Sequence, residues 1–145
     1  MGFEVAGSGF FDRLRISSRV YIIDGMFEIA LEPEVEAWLE GLPFGHFQRV
    51  MAKVDRYLVE KGGVPDGDHV KGLRDGVSEL RVAVGDRSWR ITFWKPGGAA
   101  IVLLTVFAKT RNGPQHDDVG RAIRAKRVCQ TEHDMTVTHV FDRRS

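Results

Sequence analysis

One cysteine, Cys129, stands alone among 145 residues, so an internal disulfide is excluded and no thiolate metal site can be built from cysteine alone. The five histidines, at 46, 69, 116, 133 and 139, lack ligand spacing, and no metal is expected. No apolar run approaches the roughly 20 residues of a membrane-spanning helix. Near Phe10-Phe11, Asp12, Arg13 and Arg15 interrupt any apolar leader core, so a secretory signal is not expected. Internal repeats and low-complexity tracts are missing too. These absences leave a chain for a reducing, cytoplasmic setting, without membrane attachment. A net charge of only +1 gives no reason by itself to expect a nucleic-acid partner.

What is present is an ordinary globular composition, 43% hydrophobic and 28% charged, enough for one domain that buries roughly two-thirds of its unfolded surface. The charge is unevenly spread. Between Glu28 and Glu60 seven acids face three bases, whereas between Arg81 and Arg127 ten bases face three acids. A polyanion partner on one side of the molecule fits that asymmetry.

The stretch Val77–Lys109 reads as three consecutive antiparallel strands. Leu80, Val82 and Val84 alternate with Glu79, Arg81 and Ala83, and Trp89, Ile91 and Phe93 alternate with Arg90 and Thr92. Such alternation marks strands with one apolar side. Gly85-Asp86 and Pro96-Gly97-Gly98 supply hairpin turns. A two-residue loop at Gly85-Asp86 pairs Val84 with Arg87, Leu80 with Ile91 and Arg81 with Arg90; a four-residue loop shifts the partners by two and keeps the faces. Either way Arg81 and Arg90 share a face, a like-charge juxtaposition that costs on the order of 0.2–1 kcal/mol. Two readings follow: a solvated face neutralised by acids such as Glu79, or an anion site in which paired guanidinium donors meet phosphate. Ile101–Phe107 is almost wholly apolar, as expected of a central strand covered on both faces.

Upstream, Phe27–Leu31 reads as a strand. Pro33 opens a helix at its first position, with Glu34 and Glu36 complementing the helix dipole and Val35, Trp38, Leu39 and Leu42 forming a core stripe. A second helix runs from about Phe44 to Lys61, apolar along Phe47, Val50, Met51, Val54 and Leu58, and stops at Gly62-Gly63. Val64–Gly76 reads as a polar loop, and Gln115–Thr131 as a basic helix with Val119, Ala122 and Ile123 on one side. Residues 1–25, with Met26 just ahead of the first clean strand, are expected to be a poorly ordered extension from an early start codon. Residues 26–131 form the domain, and 132–145 a tail in which Thr136–Phe141 can make a short strand. The resulting order, β-α-α-β-β-β-α, predicts an α+β domain whose small, mainly antiparallel sheet packs on a helical hairpin.

That order resembles the RelE/ParE superfamily of type II toxin–antitoxin toxins, and most of all its HigB-like branch. The matching residues are Pro33–Leu39 with Leu42-Pro43, His69–Leu73, Asp75–Arg81, Trp89-Arg90-Ile91 and Phe107–Thr110, five short motifs in the right order between about Met26 and Gln130. The resemblance implies a RelE-like fold and ribosome-dependent, metal-free cleavage of mRNA. It implies a cognate antitoxin as partner alongside the ribosome and its message, and no small-molecule cofactor. It also implies that the working residues are Lys71, Arg81, Arg90 and Lys109. His69, the residue type here whose ordinary pKa lies near neutrality, is a further catalytic candidate, and the nearby Arg74, Arg87 and Arg111 are expected RNA contacts.

Cleavage of this kind needs the ribose 2′-OH to attack its own 3′-phosphate, so one group takes a proton and others stabilise added charge. Arginine stays protonated, which makes Arg81 and Arg90 phosphate clamps. Proton transfer falls to Lys71 or His69. Two other readings compete: a gyrase-inhibiting ParE-like toxin, against which the retained Lys71, Arg81 and Arg90 speak, and a non-catalytic module binding nucleic acid or antitoxin.

Overall fold

The computed structural model describes residues 20–22, 27–110 and 116–133. Six strands form one sheet in the order β1-β2-β6-β5-β4-β3, namely β1 (Val20–Ile22), β2 (Glu28–Leu31), β3 (Val70–Gly72), β4 (Val77–Val84), β5 (Arg87–Gly97) and β6 (Ala100–Ala108). Only the β2–β6 pair is parallel, Glu28 opposite Ala100 through Leu31 opposite Leu103. The α+β architecture expected from the sequence is the one observed, with two short strands added at the sheet's edges. Strand β1 pairs with β2 from within the stretch read as an extension, and β3 lies inside the stretch read as a loop. Three-residue strands carry too little alternation to be seen locally; their partners define them. The rest of the 1–25 extension, apart from β1, and the segment Thr136–Phe141 lie outside the described residues.

Helix α1 (Pro33–Glu40) starts with proline at its first position after the extended Glu32, and buries Val35 and Leu39. Helix α2 begins after Pro43 as an α-helix, Phe44–Lys53, and continues as a π-helical segment, Val54–Glu60. The wider turn brings Val54, Leu58 and Val59 inward together. Gly62 and Gly63, both with left-handed φ, end it. A side chain at Gly63 would place its Cβ 2.8 Å from the Phe93 ring, so glycine is required twice over there. Lys95 Nζ donates to the Gly62 carbonyl at 2.8 Å, tying this terminus to the sheet.

The hairpin covers one face of the sheet. Val35, Leu39, Phe47, Val50, Met51, Val54 and Leu58 pack against Leu80, Val82, Ile91, Phe93, Ile101 and Leu103, the apolar positions assigned from the sequence. Helix α3 (His116–His133) lies on the other face, where Ala122, Ile123 and Cys129 meet Ala30, Val77, Trp94, Val102 and Leu104. Strand β6 is therefore buried on both sides, as its uniform apolarity predicts. Among the described residues no strand pairs with the β2 side of β6 beyond Leu31. Two side chains replace one: the Glu34 carboxylate accepts from Val106 N–H at 3.0 Å, and Arg121 donates to Val106 O at 3.3 Å while pairing with Glu34.

Candidate nucleic-acid interface

The turn between β4 and β5 is the two-residue form, Gly85 at φ 65° with Asp86, and it sets the register. Arg81 consequently lies opposite Arg90, Glu79 opposite Thr92, and Lys71 of β3 opposite Glu79. Cross-strand partners share a face, so Lys71, Glu79, Arg81 and Arg90 converge on the side turned away from the hairpin. Phe107 of β6 flanks Arg90 in the same row.

One carboxylate serves both arginines. Glu79 Oε2 lies 3.5 Å from Arg81 Nε and 3.5 Å from Arg90 Nε, in a side chain only 9% exposed. Arg81 Nε makes no hydrogen bond, so its link to Glu79 is electrostatic. Arg81 also donates from Nη1 to Gly67 O at 3.4 Å, and Arg90 from Nη1 to its neighbour Trp89 O at 3.3 Å. Burial lowers the Arg90 pKa; the Glu79 charge opposes that shift and the Arg81 charge adds to it. The arginine face is thus not the solvated surface that strand alternation alone implies. Arg81 is 31% exposed and Arg90 14%. Three charges leave a net single positive charge, and exposed Lys71 adds another beside it. Under the row, Thr92 and Thr105 bond through their hydroxyls at 2.6 Å, and Thr92 Oγ1 also accepts the Thr105 N–H at the bulge where the β5–β6 register shifts. That fixes the strands on which Arg90 stands.

His69 meets β4 through its backbone, while its ring turns to the hairpin helix α2. The Arg81 N–H donates to His69 O at 2.8 Å, continuing the β3–β4 ladder. The imidazole stacks on Tyr57 of α2 with centroids 4.2 Å apart, and its Nδ1 lies 3.3 Å from Asp66 Oδ2. Lys53 reaches the same corner, its Nζ donating to Arg81 O at 3.5 Å; burial lowers its pKa against the opposing charge of Asp66. Lys109 extends the β5–β6 pair, its N–H donating to Ser88 O at 2.8 Å at the rim of the sheet.

The proposed RNA contacts do not gather here. Arg87 sits 6.0 Å over the ring of Trp89, which packs on Trp38 of the hairpin, so it belongs to the opposite face. The same period of two that unites Arg81 and Arg90 parts Arg87 from them. Arg74 lies at the far end of β4 beside Asp75 at 3.8 Å, in a cluster completed by Arg127 and by Lys126, which donates to Asp75 O at 2.6 Å. Arg111 lies outside the described residues. Asp66, Tyr57 and Lys53 were missed in the sequence reading. Asp66-Gly67-Asp68 carried the one usable signal, an aspartate able to accept N–H groups two residues on; nothing local tied Tyr57 to a loop twelve residues later.

The fold and this face define a small α+β domain with an arginine pair held in register by a shared carboxylate. A family model described as phage-derived protein Gp49-like matches residues 37–127, more than half of the chain, and the chain belongs to that family, a RelE/ParE-like toxin family of toxin–antitoxin systems. No curated protein matches it.

Proposed function

We propose that this protein is an mRNA interferase toxin of the HigB-like kind, acting on messages in the ribosomal decoding site and restrained in the cytoplasm by a cognate antitoxin. The observation that carries the reading is the Arg81–Arg90 pair, side by side on a rigid sheet and half-neutralised by Glu79. A phosphodiester meets there two fixed guanidinium groups whose positions do not have to be ordered on binding, which lowers the entropic cost of association. Lys71 extends the positive surface, and Lys109 lies at its rim. In the step itself the 2′-oxygen bonds to phosphorus, the P–O5′ bond breaks, and the arginines stabilise the charge that builds on the non-bridging oxygens.

Primer-extension mapping of messages after induced expression, with and without the adjacent gene, tests this. Cuts phased with codons, suppressed by the neighbour's product, are the expected result. Broken DNA with intact message would instead indicate gyrase poisoning, and intact message with intact DNA a binding module. Arg81→Lys should keep part of the activity by keeping charge without the fork geometry, while Arg81→Ala should lose at least tenfold.

A further inference from the structure

We infer that Asp66 and Tyr57 are positioning residues that present His69 Nε2 as the proton acceptor for the 2′-OH, an assignment that rests on the ribonuclease reading above and chooses His69 over Lys71 for that step. Asp66 anchors the turn that carries His69. Its Oδ1 accepts three backbone N–H groups, from Asp68 at 2.9 Å, His69 at 2.7 Å and Val70 at 3.0 Å. Its own N–H donates to Val70 O at 3.0 Å. Oδ1 is thereby fully occupied by the turn, and Oδ2 is left facing His69 Nδ1 at 3.3 Å. The three N–H bonds hold the carboxyl well below the usual carboxylate range, so it is ionised throughout the physiological range.

A carboxylate only accepts, so Nδ1 must carry the proton of the neutral ring and Nε2 is left as the acceptor. Tyr57 decides whether Nε2 is open. Its hydroxyl lies 3.2 Å from Nε2, yet the two rings are only 17° from parallel with centroids 4.2 Å apart. In that geometry the hydroxyl approaches Nε2 through the face of the ring, whereas the nitrogen lone pair lies in the ring plane. The contact is stacking. Tyr57 backs the imidazole and leaves the lone pair pointing outward from a side chain that is 36% exposed.

The corner is charged from every side. Asp68 belongs to the same loop. Lys53, Arg56 and Lys61 of α2 lie 5.3, 5.8 and 5.1 Å from the centre of the Tyr57 ring. From β4, Arg81 donates to Gly67 O, so the turn that carries the base is bonded to the strand that carries the clamp. In the step, Nε2 takes the 2′-OH proton as the oxygen bonds to phosphorus. The P–O5′ bond breaks, the departing oxygen takes a proton from water, and the imidazolium returns its own to solvent. An amine must first lose a proton to do the same, which a neutral imidazole does not.

The test combines a measurement that needs no activity with one that does. Imidazole nitrogen NMR of the whole protein should show the Nδ1–H form in the wild type. Asp66→Asn keeps an oxygen for the three backbone N–H groups but turns an NH2 toward Nδ1, so the ring should shift toward the Nε2–H form. In single-turnover cleavage of ribosome-bound mRNA, Asp66→Asn should lower the rate ~10–100-fold with KM unchanged within about twofold. His69→Gln should lower it ~10²–10⁴-fold. Tyr57→Phe, which keeps the ring, should stay within about threefold, and Tyr57→Leu should lose about tenfold. An Nε2–H ring in the wild type overturns the inference, as does a wild-type rate in Asp66→Asn. A wild type that cleaves no message overturns the ribonuclease reading and the base role together, and the silence of the wild type itself tells that case from the other two.

Discussion

Glu79 is the residue on which the arginine face turns. Like charges opposed on a sheet repel, and a carboxylate buried without a partner is costlier still. Each of these defects relieves the other, and removing one side exposes the other. Replacing both arginines by alanine should therefore cost about 2–4 kcal/mol in urea unfolding, because Glu79 is stranded, and adding Glu79→Gln to that double variant should return about 1 kcal/mol. Destabilisation by Glu79→Gln on top of the double variant would show that the carboxylate has another partner. Asp66 makes a prediction in pH. Its folded pKa is depressed, so the stabilisation it gives is complete above the unfolded value of about 3.9 and is lost as pH falls below that. Between about pH 4 and pH 2 the wild-type Tm should fall more steeply than that of Asp66→Asn, and parallel curves would contradict it. At this scale the sequence could be read for side but not for depth. Period-two alternation told that Arg81 and Arg90 face one way; that Arg90 is largely buried depends on what covers it, which no strand pattern encodes.

Among the elements, the long ones were readable and the short ones were not. The stripe Val35, Trp38, Leu39, Leu42 and the alternation of β4 and β5 repeat often enough to declare their type, while the Gly85 turn left two registers open, of which the fold has the two-residue one. Strand β3 has three residues, of which only Val70 is buried, so nothing local distinguished it from a loop. The π-helical end of α2 was equally invisible, since its inward residues fit an α-helical stripe almost as well. The edge of β6 shows how an element can be finished by side chains. Glu34 accepts the Val106 N–H and Arg121 donates to the Val106 carbonyl, making the bonds a neighbouring strand would make. The pairing with Glu34 raises the Arg121 pKa. Glu34→Ala removes the acceptor and the ion pair at once. It should speed hydrogen exchange of the Val106 amide by about tenfold and cost about 1–2 kcal/mol, discounted because both side chains are partly exposed. Exchange at the wild-type rate would mean that the edge is closed by other contacts.

At the scale of the whole molecule the described residues form three layers, hairpin, sheet and α3, with the acidic excess in the first and the basic excess in the sheet and the last helix. Among the described residues no helix is long and apolar enough to cross a membrane. On the proposed reading the two candidate partners compete for one side: a polyanion would bind the arginine face, and an antitoxin would block that face with acidic and apolar residues. For single-stranded RNA the dependence of log affinity on log salt should flatten by about 0.7 for each phosphate contact removed, so Lys71→Ala and Arg81→Ala should each show that change while Arg74→Ala should not. A full-sized effect at Arg74 would move the interface toward the α3 end of the sheet.

The parallel pairing of β2 with β6 reaches from Glu28 to Ala100. A growing polypeptide emerging from the translation machinery therefore carries the hairpin with its apolar side bare until the third long strand has left the exit tunnel. At ~5–20 residues per second that interval lasts several seconds. A frameshift anywhere before Ala100 leaves the sheet without β6, the strand against which both apolar layers of the fold are packed.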